Sequence, residues 1–177
     1  MQIRKIGLSD LQELRDIGIK SYVPHYAQMW KPDGLKWYLN RCFSDEFLQK
    51  ELVDANVEYY IISSAEKNIG ILKLVLQKPL PDSDVENALY LEKLYFIQEW
   101  TGKGVGRELM NFTFGRAREI NRECVWLVAM DTADKPVAAY QRAGFVIYSH
   151  ERLDFELMKE EFRGTFVMKN CLNKNGN

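Results

Sequence analysis

The chain has 177 residues, 46% hydrophobic and 28% charged, which is enough for a sizeable core and far from a disordered composition. Its 24 basic and 25 acidic residues leave a formal charge of -1, without the broad basic footprint of a nucleic-acid binder. Three widely spaced cysteines (Cys42, Cys124, Cys171) and two histidines offer neither a CxxC pair nor a zinc pattern, so free thiols in a reducing compartment and no metal are expected.

The first six residues, Met-Gln-Ile-Arg-Lys-Ile, contain no apolar signal region. The longest apolar runs, such as 125–130, fall far short of the ~20 residues a membrane span needs. A cytoplasmic protein with no membrane partner is therefore expected. Residues 2–6 alternate like a short strand. Ser9 and Gln12 have capping-box spacing, and Leu11, Leu14 and Ile17 predict a helix over 9–20. Pro24 and Pro32 are expected to break the next stretch, which is rich in aromatics: Tyr22, Tyr26, Trp30, Trp37 and Tyr38. Helices are predicted at 34–43 and 44–52. Residues 57–63 and 70–77 read as two strands joined by a turn at Glu66-Lys67-Asn68.

Pro79 and Pro81 end that hairpin, and an acidic loop with Asp82, Asp84 and Glu86 leads to a strand at 89–97. Residues 102–121 read as an amphipathic helix with Val105, Leu109 and Phe112 on one stripe. The continuous apolar run 125–130 suits a strand covered on both faces. Asp134 and Pro136 fit the first turn of a further helix that ends at Gly144. Strands at 145–148 and 165–169 complete an α/β domain around a mixed sheet. One domain over 1–172 is expected, followed by a polar tail at 173–177.

The chemically informative segment is Leu94-Tyr-Phe-Ile-Gln-Glu-Trp-Thr-Gly-Lys-Gly-Val-Gly-Arg-Glu-Leu109. A strand feeds a Gly-x-Gly-x-Gly turn that opens into a helix. Unsatisfied N–H groups and the helix dipole gather positive potential at such a start, and Gly102, Gly104 and Gly106 let backbone approach a bulky anion. Lys103 and Arg107 add charge. Such a turn can cradle a diphosphate, or can simply connect strand to helix. The third glycine comes one residue too early for a Rossmann fingerprint, and the Gly-Lys-Ser/Thr of a Walker A loop is absent, so NAD and ATP are disfavoured.

Thr101-Gly-Lys-Gly-Val-Gly-Arg resembles the Arg/Gln-x-x-Gly-x-Gly motif of the GNAT superfamily of N-acetyltransferases. Ala138-Ala-Tyr-Gln-Arg-Ala-Gly-Phe145 resembles that superfamily's Tyr-x-x-x-Gly-Phe signature, in the same order and at a similar separation. The resemblance spans 1–170 in element order and is strongest over 89–148. It implies an α/β (α+β) GNAT fold: a mixed, mostly antiparallel sheet of six or seven strands, helices on both faces, and a V-shaped splay between two parallel strands at 89–97 and 125–130. It also implies acetyl-CoA as cosubstrate. Backbone groups of Leu94, Tyr95 and Phe96 would meet the pantetheine arm, and N–H groups of Gly102, Lys103, Gly104, Val105, Gly106 and Arg107 the pyrophosphate. Thr101 stands where the superfamily has Arg or Gln. Ala133 stands at a frequent Asn position, for which Asp131 or Asp134 is a replacement.

Acetyl transfer to an amine needs a neutral amine, a stabilised oxyanion and a protonated leaving thiolate. Glu92 is the first candidate base. It shares a strand face with Leu94 and Phe96, although a solvated carboxylate paired with Lys93 or Arg107 fits the same pattern. His25 is the second, because imidazole is the side chain that exchanges protons near neutral pH, or else a wall of the acceptor site. By resemblance Tyr140 is the acid that protonates the thiolate; the alternative is a core tyrosine. Transfer is expected to be direct, which leaves Cys124 a core thiol.

Acidic residues at Asp82, Asp84 and Glu86 and at Glu156, Glu160 and Glu161, with the aromatics His25, Tyr26 and Trp37, suit a flexible cation, or are merely solvated loops. The chain is also similar to the bacterial spermidine/spermine acetyltransferase branch in Leu91-Glu-Lys-Leu-Tyr95, Val125-Trp-Leu127 and Phe155-Glu-Leu-Met158. That similarity implies a polyamine or another small amine. A protein N-terminus, an amino acid, an aminoglycoside, or a non-catalytic acyl-CoA sensor are the alternatives. Homodimers are common in the superfamily, and a homodimer is left open.

Overall fold

The computed structural model describes residues 1–172, so the tail expected at 173–177 lies outside the described residues. Seven strands are hydrogen-bonded in the order β1-β2-β3-β4-β5-β7-β6. They are β1 (Gln2–Lys5), β2 (Val57–Ser64), β3 (Lys67–Val75), β4 (Ala88–Phe96), β5 (Cys124–Met130), β6 (Val146–Arg152) and β7 (Gly164–Cys171). The pairs β1/β2, β5/β7 and β6/β7 are antiparallel, and β4/β5 is parallel. This is the mixed α/β sheet that the sequence led us to expect. The chain divides into two compact units.

Unit 1 comprises Met1–Lys73, Lys93–Lys103 and Phe155–Lys159. It contains α1 (Leu11–Tyr26), α2 (Gly34–Phe43) and α3 (Asp45–Leu52). Leu14, Ile17 and Tyr22 of α1 are buried with Phe43, Leu48, Tyr59 and Ile61. The helix starts after a 3-10 turn rather than at Ser9, and Asp10, not Ser9, accepts the Gly7 N–H at 3.0 Å. That hydrogen bond, followed by the Arg4 guanidinium, holds the Asp10 carboxyl below its ordinary range. Contrary to expectation, α1 does not break at Pro24 but runs through it to Tyr26. The missing N–H removes one hydrogen bond, which packing of Tyr22 and Tyr26 against the core outweighs.

Ser44 caps α3, its hydroxyl accepting the Phe47 N–H at 3.3 Å, while Asp45 and Glu46 complement the helix dipole. The β2–β3 turn is Ala65-Glu66, one residue earlier than expected, with φ of 47° and 62°. Two residues in the left-handed region give a hairpin turn whose twist matches the strands. Lys73 of β3 is buried, donating to Glu51 Oε1 at 2.6 Å, while Tyr59 donates to Glu51 Oε2 at 2.5 Å. The buried charge is thus matched.

Unit 2 comprises Leu74–Glu92, Gly104–Asp154 and the chain from Glu160 onward. It contains α4 (Val105–Glu119) and α5 (Asp134–Arg142). Leu80, Ala88, Cys124, Trp126 and Val167 form a buried cluster. Beside it Tyr90 stacks on Trp126 at 4.0 Å, and the Lys78 ammonium lies 4.1 Å from the Tyr90 ring centre. In α4, Leu109, Met110, Phe114 and Ala117 are buried. Gly144, at φ 90°, ends α5, and the Phe145 N–H returns to the Tyr140 carbonyl at 3.0 Å. Asp134 and Pro136 lie in the first turn of α5, as expected, and Ala133 is its N-cap.

Candidate active site

The parallel register of β4 on β5 runs from Ala88↔Cys124 to Leu91↔Leu127 and stops there, although β4 continues to Phe96 and β5 to Met130. Along β4 burial alternates: Leu89, Leu91 and Lys93 are buried, whereas Tyr90, Glu92, Leu94 and Phe96 are half-buried. Glu92 therefore shares its face with Leu94 and Phe96, as read from the sequence. Burial, then the charges of Glu92 and Glu151, hold the Tyr90 phenol above its ordinary range.

Just beyond β4, Gly102 and Gly104 take φ of 78° and 83°, and Gly104 is the N-cap of α4 with no side chain capping it. The first hydrogen bond of this helix runs from Glu108 N to Gly104 O at 3.2 Å. The N–H groups of Val105, Gly106 and Arg107 thus have no helical acceptor. A Cβ at positions 102, 104 or 106 would meet nothing within 4 Å, so this backbone faces open space. Thr101, Lys103 and Arg107 are exposed, and the Lys103 ammonium sits 4.9 Å from the Trp100 ring centre. A diphosphate fits here: donors are available, the dipole is favourable and no side chain is in the way.

In unit 2, Tyr140 is half-buried on α5, its ring edge-on to Phe145 at 6.0 Å, and Asp134 is exposed at the start of the same helix. In unit 1, His25 lies in the last turn of α1 rather than in a loop, and its Nε2 is 3.0 Å from the Phe96 carbonyl oxygen. Tyr26 stacks on Tyr22 at 4.7 Å and tilts against Tyr95 at 5.6 Å. Burial raises the Tyr26 and Tyr95 phenols above their ordinary range. The Tyr95 side chain is partly buried and packs against this aromatic cluster.

Trp37 is linked to His25 through a chain of rings, Trp30 on Tyr38 at 4.9 Å, Tyr38 on Tyr22 at 4.7 Å and Tyr26 beside His25 at 6.1 Å. It packs on Trp30 at 6.0 Å and Phe155 at 5.5 Å, with the Arg41 guanidinium 5.5 Å from its ring centre. Sequence reasoning missed Phe155 and Arg41 as its neighbours. Arg41 was findable, four residues along the same helix, whereas Phe155 is brought in by the chain fold alone. Of the acidic residues, Glu160 pairs with Arg152 and with Arg163, the latter at 2.9 Å. Among the described residues no group of three or more His, Cys, Asp or Glu could hold a metal ion, and no helix is long and apolar enough to cross a membrane.

The sequence profile of the acetyltransferase (GNAT) family matches residues 20–145, which takes in both glycine motifs, β4, α4 and α5. The chain belongs to the acetyltransferase (GNAT) family. Membership makes it an acyltransferase with acetyl-CoA as cosubstrate. A relative is an uncharacterised N-acetyltransferase encoded in the pepI 3′ region of Lactobacillus delbrueckii subsp. lactis, 20% identical over 90% of this chain and 96% of that protein. Among solved structures, the PaiA N-acetyltransferase of Thermoplasma acidophilum in complex with coenzyme A has a TM-score of 0.75 at 19% identity, covering 97% of this chain and 98% of that one. A chimera of the Vibrio cholerae spermidine N-acetyltransferase SpeG and hSSAT has a TM-score of 0.67 at 18% identity, covering 96% and 94%. These structural likenesses establish a shared fold.

Proposed function

We propose that this enzyme moves the acetyl group of acetyl-CoA directly to a primary amine within a ternary complex, and that the amine is a polyamine. The observation that carries the reading is the start of α4: three N–H groups without helical acceptors, preceded by left-handed glycines, inside the segment that matches the acetyltransferase family. In this reading the N–H groups of Gly102, Lys103, Gly104, Val105, Gly106 and Arg107 hold the pyrophosphate. The backbone of Leu94, Tyr95 and Phe96 aligns the pantetheine arm, with Thr101 and Asp134 beside the cofactor.

Glu92 takes the proton that the attacking amine must lose, directly or through a water. An N–H of β4 near Leu94 meets the oxyanion. Tyr140 gives its phenolic proton to the departing thiolate, a small step because the two ordinary pKa values differ by only ~1–2 units. His25, Tyr26 and Trp37 are assigned to the acceptor side. The choice of a polyamine is supported by the spermidine N-acetyltransferase among the structural neighbours. A single catalytic domain over 1–172 and a cytoplasmic location complete the proposal.

The test is thiol release from acetyl-CoA with a panel of spermidine, spermine, an amino acid, an aminoglycoside and a peptide N-terminus. Turnover fastest with polyamines is the expected result. A preference for another acceptor removes the polyamine assignment but keeps the reaction. Binding of acetyl-CoA with no turnover on any amine makes the chain a sensor and overturns the proposal.

A further inference from the structure

Two cysteines outside the proposed catalytic machinery face each other across the sheet. Cys124 is the first residue of β5 and Cys171 the last of β7, and they are directly opposite in antiparallel register. Their Sγ atoms are 3.0 Å apart. Directly opposed strand residues hold their Cβ atoms ~4.5–5.5 Å apart, close to the ~3.5–4.5 Å of a disulfide, so closing the bond needs a shift on the order of 1 Å at a strand end. The two thiols differ in access: Cys124 is fully buried and Cys171 is exposed. Burial, then the hydrogen bond with Cys171, pushes the Cys124 thiol up to about 12. Cys171 is thus the thiol that reagents reach, and Cys124 is held against its back.

We propose that Cys171 and Cys124 form a redox-modification site in which Cys171 is attacked from solution and Cys124 resolves the product into an intramolecular disulfide. The co-reactant is a low-molecular-weight disulfide. The Cys171 thiolate attacks one of its sulfurs, the reagent's S–S bond breaks, and one small thiol leaves after taking up a proton. A mixed disulfide now sits on Cys171 Sγ. Cys124 loses its proton, its sulfur attacks Cys171 Sγ, and the mixed disulfide breaks to release the second small thiol. The two cysteines are oxidised by two electrons and the reagent is reduced to two thiols. The bond ties the end of β7 to the start of β5, where β5 also registers with Ala88 of β4.

The experiment incubates the full chain with oxidised glutathione, alkylates remaining thiols after denaturation, and maps peptides by mass. Glutathione is chosen because it lacks the nucleotide that the α4 start would bind, so the result does not depend on the acetyltransferase reading. Wild type is expected to give a Cys124–Cys171 linked peptide, alkylation confined to Cys42, no retained glutathione, and three alkylatable thiols after dithiothreitol. Cys124→Ala is expected to keep glutathione on Cys171, and Cys171→Ser to leave Cys124 unmodified. Glutathione retained on wild-type Cys171 without the linked peptide overturns the proposal, as does a linkage that includes Cys42 or an unmodified chain. If Cys124→Ala fails to fold, the wild-type map alone decides.

Discussion

His25 Nε2 lies 3.0 Å from the carbonyl oxygen of Phe96, which joins the last turn of α1 to the last residue of β4. A carbonyl only accepts, so Nε2 carries the hydrogen and Nδ1 remains to accept or to face the acceptor amine. Within the proposed function, His25 is a positioning residue. One lost hydrogen bond of ~1 kcal/mol is about a fivefold effect. His25→Ala is expected to raise the KM for the amine by about fivefold while kcat stays within about twofold, with partial recovery in His25→Gln. Steady-state kinetics at saturating acetyl-CoA check this. A fall in kcat of about 100-fold would instead make His25 the base.

The catalytic roles proposed for Tyr140 and Glu92 predict the opposite signature. Removing a proton donor or acceptor for the reacting atoms costs ~10²–10⁴ in rate. Tyr140→Phe retains the ring that packs edge-on to Phe145, so it should fold normally and lose kcat by about 100-fold with little change in either KM. Glu92→Gln should lower kcat similarly. It should also lower the Tyr90 phenol pKa, because the Glu92 charge helps raise it. Ultraviolet titration of tyrosine reads this second effect without any substrate. Full activity in both variants would remove both assignments.

Gly104 tests the cradle. It adopts φ 83°, and a Cβ at this position would have nothing within 4 Å, so alanine there meets backbone strain and not a clash. The left-handed conformation costs an L-residue ~1–2 kcal/mol. Gly104→Ala is expected to relax the α4 start and raise the KM for acetyl-CoA about tenfold, with kcat and the KM for the amine unchanged. Titration calorimetry with coenzyme A should show the same weakening.

How far these residues were legible depended on whether the signal was local. The strand–glycine–helix passage at 94–109 and the α5 end at Gly144-Phe145 are set by neighbours in the chain, and the structure has them close to where the sequence put them, with α4 starting at Val105 rather than Gly102 because Gly102 and Gly104 take positive φ. Pro24 misled because helix propensity is a weak prior, and the burial of Leu14, Ile17 and Tyr22 along α1 carries the helix past it. Ala65-Glu66 gave no glycine or asparagine signal for its positive φ values, so the hairpin turn was misplaced. The contacts of His25 with Phe96 and of Trp37 with Phe155 join residues far apart in sequence, and no periodicity encodes them.

Gly70 and Gly115 give a pair of substitutions with opposite expected signs. An alanine Cβ at position 70 of β3 would sit 2.8 Å from Phe96 Cα and closer still to the Tyr95 carbonyl oxygen, both backbone atoms. Neither can retreat easily: Tyr95 is wedged against Tyr22 at 5.4 Å, and the Ile97 N–H is bonded to the Ile69 carbonyl at 2.8 Å. Overpacking of this kind costs ~1–3 kcal/mol. Gly70→Ala should therefore lower the melting temperature by several degrees and displace the end of β4, reducing kcat/KM for both substrates. Gly115 lies within α4, where a Cβ meets nothing within 4 Å. Gly115→Ala should stabilise by ~0.5–1 kcal/mol through helix propensity alone, leaving the kinetics unchanged. Thermal unfolding of the two variants beside wild type checks both signs; a Gly70→Ala protein as stable as wild type would show that β4 is not held by β3 at this point.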